Sequence, residues 1–228
     1  MQSDMPRIGA IFDWDGVIIN SADLHQKSWE LLAAEIKHTL PANHFKTGFG
    51  KRNETIIGKI LNWSEDPAQI TKWGNRKEEI YRELGIQYGI DMVPGSKIFL
   101  QTLKHLGISA SIGTSTERKN IEVAIAQNKL ADFFSGAVCS EDVTKGKPDP
   151  EVFLKAAKLI KRKPANCVVF EDSTHGIEAA ISAQMIAVGI TTTNSKSKLL
   201  DQGANLVVDR LDEIDLSILE DLLKTSLQ

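Results

Sequence analysis

The sequence predicts an α/β fold: a doubly wound parallel sheet with helices on both faces and a helical segment inserted into it. Short apolar runs alternate with longer helix-spaced segments through the C-terminal part of the chain. Those runs lack polar alternation, as strands buried on both faces do. Between about Ser21 and Met92, by contrast, no run reads as a strand.

In chain order, Ile8–Phe12 is the first expected strand. Ala22–Ile36, Glu54–Leu61 and Pro67–Leu84 read as helices, separated by turn-like breaks at Pro41–Gly50 and Asn62–Pro67. Pro94–Gly95 is a favourable start for a helix over Lys97–Leu106. Strands are then expected at Ile108–Ile112, Ala137–Cys139, Cys167–Phe170, Ile186–Ile190 and Leu206–Val208. Helices are expected between them at Glu117–Leu130, Pro150–Ile160, Ile177–Ala183 and Ser197–Gln202. Residues 1–20 and 93–228 are therefore expected to form the α/β core, with 21–92 as the insert.

With 228 residues, 42% hydrophobic and 25% charged, the chain has ample material for one large domain or a domain carrying a smaller one. The net charge of −3 and the absence of a Lys/Arg stripe give no support to a nucleic-acid partner. Lys196–Lys198 reads as a solvated helix start. Cys139 and Cys167 each sit in an apolar run and read as buried thiols, without the paired spacing of a zinc site. They suit a reducing compartment, and a cytoplasmic location is expected. Met1–Arg7 has no apolar stretch of the signal-peptide kind, and no membrane span is expected. A monomer is the expectation for this size.

In an open parallel sheet, ligands bind beyond the carboxyl ends of the strands. After the first strand stands Asp13-Trp14-Asp15-Gly16. After Ile108–Gly113 stands Thr114-Ser115-Thr116; after Ala137–Cys139, a loop with Lys145-Gly146-Lys147-Pro148; after Cys167–Phe170, Glu171-Asp172-Ser173. Singly, each has a structural reading: turn carboxylate, helix cap or solvated lysine. Together they place hard carboxylate oxygens suited to Mg²⁺ beside hydroxyl and ammonium donors suited to phosphate. A site with both suits phosphoryl transfer.

These residues make the sequence resemble the haloacid-dehalogenase-like superfamily over essentially its whole length. The likeness is greatest to its β-phosphoglucomutase-like group, which includes many sugar phosphatases. The matching motifs are Asp13-Trp14-Asp15-Gly16-Val17, Thr114, Lys147-Pro148-Asp149-Pro150 and Glu171-Asp172-Ser173 with Gly176-Ile177. The resemblance implies a Rossmann-like core with a helical cap, and a Mg²⁺-dependent phosphatase acting on a small phosphorylated metabolite such as a sugar phosphate. Asp13 would be the nucleophile and Asp15 the general acid/base. Thr114, Ser115 and Lys147 would hold the phosphoryl oxygens. Asp13, the Asp15 carbonyl, Glu171 and Asp172 would hold Mg²⁺. Residues near Asn20–Ser21 and Asp91–Gly95 would be hinges, and His25, Arg52 and Lys77 would read the substrate from the cap. Each of those three also has a plain reading, as a surface histidine, a helix-start arginine or part of a solvated charged face.

Three positions depart from the group's pattern: Asn20, Gln184, and Thr116-Glu117-Arg118 where mutases often carry Ser-Lys-Asn. In a mutase that loop helps grip a second phosphate, so Thr116 and Arg118 are candidate substrate-loop residues and Glu117 favours a phosphatase over a phosphomutase. A 2-haloacid dehalogenase is disfavoured by Asp15, and a phospho-accepting receiver by length and by the position of Asp13. His38, His44, His105 and His175 read as structural, Trp14 as packed against the core or hinge, and Trp29, Trp63 and Trp73 as packing between cap and core. No Gly-rich nucleotide loop is present in the sequence.

Overall fold

A computed structural model of the chain describes residues 8–48 and 50–226. The polar start Met1–Arg7 and Phe49 of the Gly48-Phe49-Gly50 turn lie outside them. Strands β1 (Gly9–Phe12), β2 (Ser109–Gly113), β3 (Ala137–Val138), β4 (Cys167–Glu171), β5 (Ile186–Ile190) and β6 (Leu206–Val208) form one sheet, in the order β3-β2-β1-β4-β5-β6. Every pairing is parallel.

Between β1 and β2 run α1 (Ala22–Ile36), α2 (His44–Gly48), α3 (Asn53–Thr55) and α4 (Pro67–Tyr88), followed by α5 (Ser96–His105). Beyond β2 come α6 (Arg118–Asn128), α7 (Glu151–Leu159), α8 (Thr174–Ser182), α9 (Lys196–Asp201) and α10 (Leu216–Ser226). Side chains alternate across a strand. Ala10, Phe12, Val168 and Phe170 therefore meet Phe99 and Leu103 of α5, Ile121 of α6 and Leu219 of α10 on one face. Ile11, Val169 and Ala187 meet Phe153 of α7, Ile177 of α8 and Leu199 of α9 on the other. Burial on both sides is why these strands read as unbroken apolar runs.

The helices between β1 and β2 bury a cluster of their own, built from Trp29, Leu32, Ile56, Ile57, Ile80 and Leu84. Trp63 packs edge-on against Trp29 and Trp73, with centroids 6.1 and 6.3 Å apart. The tryptophans thus pack inside this segment, not between it and the core as expected; the order of the helices brings their faces together. Asp66 caps α4 by accepting from Ala68 N, with Pro67 in the first turn where its missing N–H does no harm. The segment leaves and rejoins the sheet side by side. Asn20 N donates to Asp91 O at 2.8 Å and Val93 N to Ile18 O at 3.0 Å.

Three expectations need correction. Glu54–Leu61 is not a continuous α-helix: α3 widens into a π-helical turn at Ile56–Ile60, which lets the adjacent Ile56 and Ile57 both enter the cluster. The break at Pro41–Gly50 contains the short helix α2. No element was expected after Leu206–Val208, yet α10 covers the sheet with Leu219 and Leu223, spaced i, i+4.

Candidate active site

Because β1 lies between β2 and β4, the residues just past these strands stand side by side. Asp13 follows β1, Thr114 follows β2, Glu171 ends β4 and Asp172 follows it. Beneath them Phe12 stacks on Phe170, centroids 4.6 Å apart, a dry floor that keeps the acids' dielectric low. Asp13, Glu171 and Asp172 are buried, with ligand oxygens within 4.8 Å of one another. Lys147 Nζ donates to Asp13 Oδ1 at 2.7 Å and to Glu171 Oε1 at 2.6 Å, over the Phe153 ring. Three buried carboxylates thus face a single ammonium. Burial, then the Glu171 and Asp15 charges, push the Asp13 carboxyl up to about 7 against the opposing pull of Lys147. Burial and the neighbouring acids also raise Asp172 well above the carboxylate range. That excess of buried negative charge, on hard oxygen donors, fits a small divalent cation such as Mg²⁺.

Two glycines make room for this cluster. Gly16 has φ +77°, and a Cβ there would lie 2.0 Å from Asp172 Oδ2. A Cβ on Gly176 would lie 1.8 Å from the Glu171 carboxylate. Ser173 caps α8 through Gly176 N, and its N and Oγ donate to Glu171 Oε2 at 2.8 and 2.9 Å.

Asp15 faces the other way, toward the inserted helices. Its carboxylate accepts from the hydroxyls of Ser21 and Thr116, and His25 Nε2 lies 3.3 Å away. Burial works to raise its pKa, but the His25 imidazole and the two hydroxyls outweigh it and hold Asp15 at about 2. His25 stacks on Tyr81 at 4.2 Å, and Lys77 Nζ lies 2.6 Å from His25 Nδ1 and 3.0 Å from Glu78 Oε1. Nδ1 is thus the ring nitrogen turned to Lys77 and Nε2 the one directed at Asp15.

Asp13, Asp15, Thr114, Ser115, Thr116, Lys147, Glu171 and Asp172 line one cavity of about 720 Å³. His25, Arg52 and Lys77 line an adjoining one of about 280 Å³, which shares Asp15, Ser115 and Thr116 with it. Arg118 lines neither cavity; its guanidinium is drawn to Asp142 and to Ala137 O at 3.3 Å. Arg52 reaches across to the core, donating from Nη2 to Ser140 O at 3.1 Å and Val143 O at 3.0 Å.

The sequence reading missed the loop after β5. Thr192 and Thr193 donate to Asp172 Oδ2, and Asn194 Nδ2 to Asp172 O at 3.0 Å. The signal was present: a run of hydroxyl residues just past a strand. Glu78 and Asn120 were also missed, and Ser21 was read as a hinge residue and not as a partner of Asp15. Of the other groups, Trp14 is fully buried against Phe134, His38 packs on Trp63 and Trp73, and Cys139 and Cys167 are buried free thiols. Among the described residues, no helix is long and apolar enough to cross a membrane.

Residues 10–201 match the family model of the haloacid dehalogenase-like hydrolases. The chain is 39% identical over 224 residues to the chloroplastic 5-amino-6-(5-phospho-D-ribitylamino)uracil phosphatase of Arabidopsis thaliana, covering 96% of this chain but 59% of that protein's length. It is 30% identical over 220 residues to the β-phosphoglucomutase of Bacillus subtilis, covering 92% and 93% of the two chains. Among solved structures, a family IA, variant 3 hydrolase from Entamoeba histolytica superposes with a TM-score of 0.87 at 31% identity, over 95% of this chain and 99% of that one. A sheet with this strand order and these acids at its carboxyl edge accords with those matches: the chain belongs to the haloacid dehalogenase-like hydrolase family.

Proposed function

We propose that this chain is a Mg²⁺-dependent phosphatase for a small phosphorylated metabolite, a sugar or sugar-alcohol phosphate in particular. The observation that carries the proposal is the cluster of Asp13, Glu171 and Asp172 around Lys147 at the floor of a cavity whose roof is the inserted helical segment. Asp13 is the nucleophile: its carboxylate oxygen bonds phosphorus while the ester P–O bond breaks. Asp15 gives its proton to the leaving oxygen. Asp15 then takes a proton from water, the resulting hydroxide attacks phosphorus, and the P–O bond to Asp13 breaks to free inorganic phosphate. In the arrangement described, Asp15 is ionised and set for the second half. The first half needs it protonated, so entering substrate must weaken the hold of Ser21, Thr116 and His25.

Lys147, Thr114 and Ser115 orient the phosphoryl group. A cation held by Asp13, Glu171, Asp172 and the Asp15 carbonyl would offset phosphoryl charge. Residues 21–92 act as a cap on a core of 1–20 and 93–228, turning at Asn20–Ser21 and Asp91–Gly95 and excluding water when closed. In the smaller cavity, Trp29 and Phe45 offer apolar faces beside Asn53, Asn75 and Glu117, a lining suited to a hydroxyl-rich or ring-bearing leaving group. The ribitylamino-uracil phosphate named for the Arabidopsis relative is of that kind. A phosphomutase is the second reading, favoured by the Bacillus relative. Against it, Arg118 is engaged by Asp142, and Glu117 with Glu141 would repel a second phosphate.

The test is phosphate release with Mg²⁺, against an Asp13→Asn blank. The panel includes 5-amino-6-(5-phospho-D-ribitylamino)uracil, hexose phosphates and pseudouridine 5′-phosphate. Release from at least one ester that is lost with EDTA and in Asp13→Asn is expected. A silent panel rejects the phosphatase, and glucose 6-phosphate from β-glucose 1-phosphate without free phosphate selects the mutase.

A further inference from the structure

Asn120, on core helix α6, is 1% exposed and both ends of its amide are engaged by cap helix α4. Its Nδ2 donates to Glu78 Oε2 at 2.6 Å, and its Oδ1 accepts from Arg82 Nη1 at 2.8 Å. Glu78 and Arg82 are four residues apart, so they share one face of α4. Glu78 is also the carboxylate that holds Lys77, and it accepts from Asn53 at 2.8 Å. An unbroken series of contacts therefore runs from a core helix to the candidate acid/base: Asn120 to Glu78, Glu78 to Lys77, Lys77 to His25, His25 to Asp15.

The seam between α4 and α6 has a second attachment nearer the hinge. Gln127 Nε2 donates to Gly85 O at 2.9 Å, its Oε1 accepts from Ile90 N at 3.1 Å, and Asn128 Nδ2 donates to Ile90 O at 2.9 Å. At a rise of about 1.5 Å per residue, Glu78 lies roughly 15 Å or more from a pivot near Asp91, and Gly85 less than about 10 Å. A rotation of roughly 10° would carry Glu78 about 3 Å, enough to break its bond to Asn120. The same rotation moves Gly85 about half as far, and Ile90, next to the pivot, least of all.

We propose that Asn120 is a positioning residue. It latches the cap at the end far from the hinge, and through Glu78 it sets Lys77 and His25 against Asp15 only when the cap is shut. The seam opens from Asn120 and stays attached at Gln127 and Asn128. This rests on reading 21–92 as a closing cap and Asp15 as the acid/base.

The experiment measures two quantities on the full chain: steady-state phosphate release on the panel above, and backbone hydrogen exchange along α4 without substrate. Asn120→Ala removes both bonds. Asn120→Asp keeps the acceptor for Arg82, removes the donor to Glu78, and decides the matter alone if the alanine variant does not fold. The expected result for either is a fall in kcat of about tenfold or more with KM within about threefold. Exchange should quicken at Lys77–Tyr81 and stay unchanged at Gly85–Tyr88. Wild-type kcat and exchange in Asn120→Asp would overturn the proposal, as would exchange quickening equally along all of α4. Should wild type release no phosphate from any ester, the phosphatase reading fails and the exchange pattern alone decides the latch.

Discussion

Replacing Asp13 by Asn is expected to stabilise the protein at alkaline pH while abolishing turnover. Asp13 is paired with Lys147, and deleting one partner of a buried ion pair ordinarily destabilises by about 3–5 kcal/mol. Here the opposite sign is expected, because Lys147 keeps Glu171 at 2.6 Å and the cluster holds three acids. The folded-state pKa is raised from 3.8 to about 7. The folded protein therefore binds the extra proton more tightly than the unfolded chain. No penalty exists below the unfolded value; it grows as pH rises and is complete above the folded one. At about 1.4 kcal/mol per pKa unit the full penalty approaches about 4 kcal/mol. That pKa already contains the pull of Lys147, so the gain expected for Asp13→Asn is of this same order, at most about 4 kcal/mol. The assay is urea unfolding of both proteins in EDTA from pH 5 to 8.5. The variant should match or trail wild type at pH 5 and exceed it at pH 8.5, and added Mg²⁺ should narrow the gap by stabilising wild type more. A variant less stable than wild type at pH 8.5 in EDTA, or a difference that does not move with pH, would refute the charge-excess account.

Further outcomes follow from single contacts. Gly16→Ala places a Cβ at φ +77°, 2.0 Å from Asp172 Oδ2. A loss of about 1–3 kcal/mol in thermal or urea unfolding is expected, together with weaker Mg²⁺ activation. Glu117→Gln should raise stability at pH 8 but not at pH 5. Burial, then the Glu78 charge, lift its carboxyl to about 7, so the folded state binds the proton more tightly and loses stability as pH rises through that value. After solvent screening the gain is about 1 kcal/mol, readable as a pH-dependent melting shift. Arg52→Lys cannot span the Ser140 and Val143 carbonyls with one planar group. A fall of about tenfold in kcat/KM, with little change in melting temperature, is expected in steady-state assays.

Much of the candidate site is legible in sequence because each of its acids stands immediately past an apolar run. A parallel sheet sends all such ends to one edge. Asp13, Thr114 and Asp172 are found by that rule; Lys147, well down the loop after β3, is singled out only by the Lys147-Pro148-Asp149-Pro150 motif of the family it resembles. Thr192 and Thr193 obey the same rule, but their meaning depends on β5 lying beside β4, which no local pattern encodes. Asn120 is less legible still: a polar residue in a helix looks like any solvated position until the facing helix is known. The tryptophans mislead for a related reason, since three aromatic rings in one segment identify a packing surface without naming its partner. Arg118 stands in the loop that reads as a substrate grip, and a competing carboxylate on another loop, Asp142, takes it away.

The order of polar and apolar residues by itself determined the α/β architecture, the helical insertion and the carboxylate-lysine-hydroxyl set at one edge. These follow from periodicity, from strand ends and, for Lys147, from a short motif, all of them local. Tertiary structure alone decided the sheet order, the orientation of Asp15 toward His25, the room that Gly16 and Gly176 leave for Asp172 and Glu171, and the attachment of α4 to α6 through Asn120. Each of those is a distance between residues far apart in the chain. Such distances come from packing whole elements together, and no window of sequence contains them.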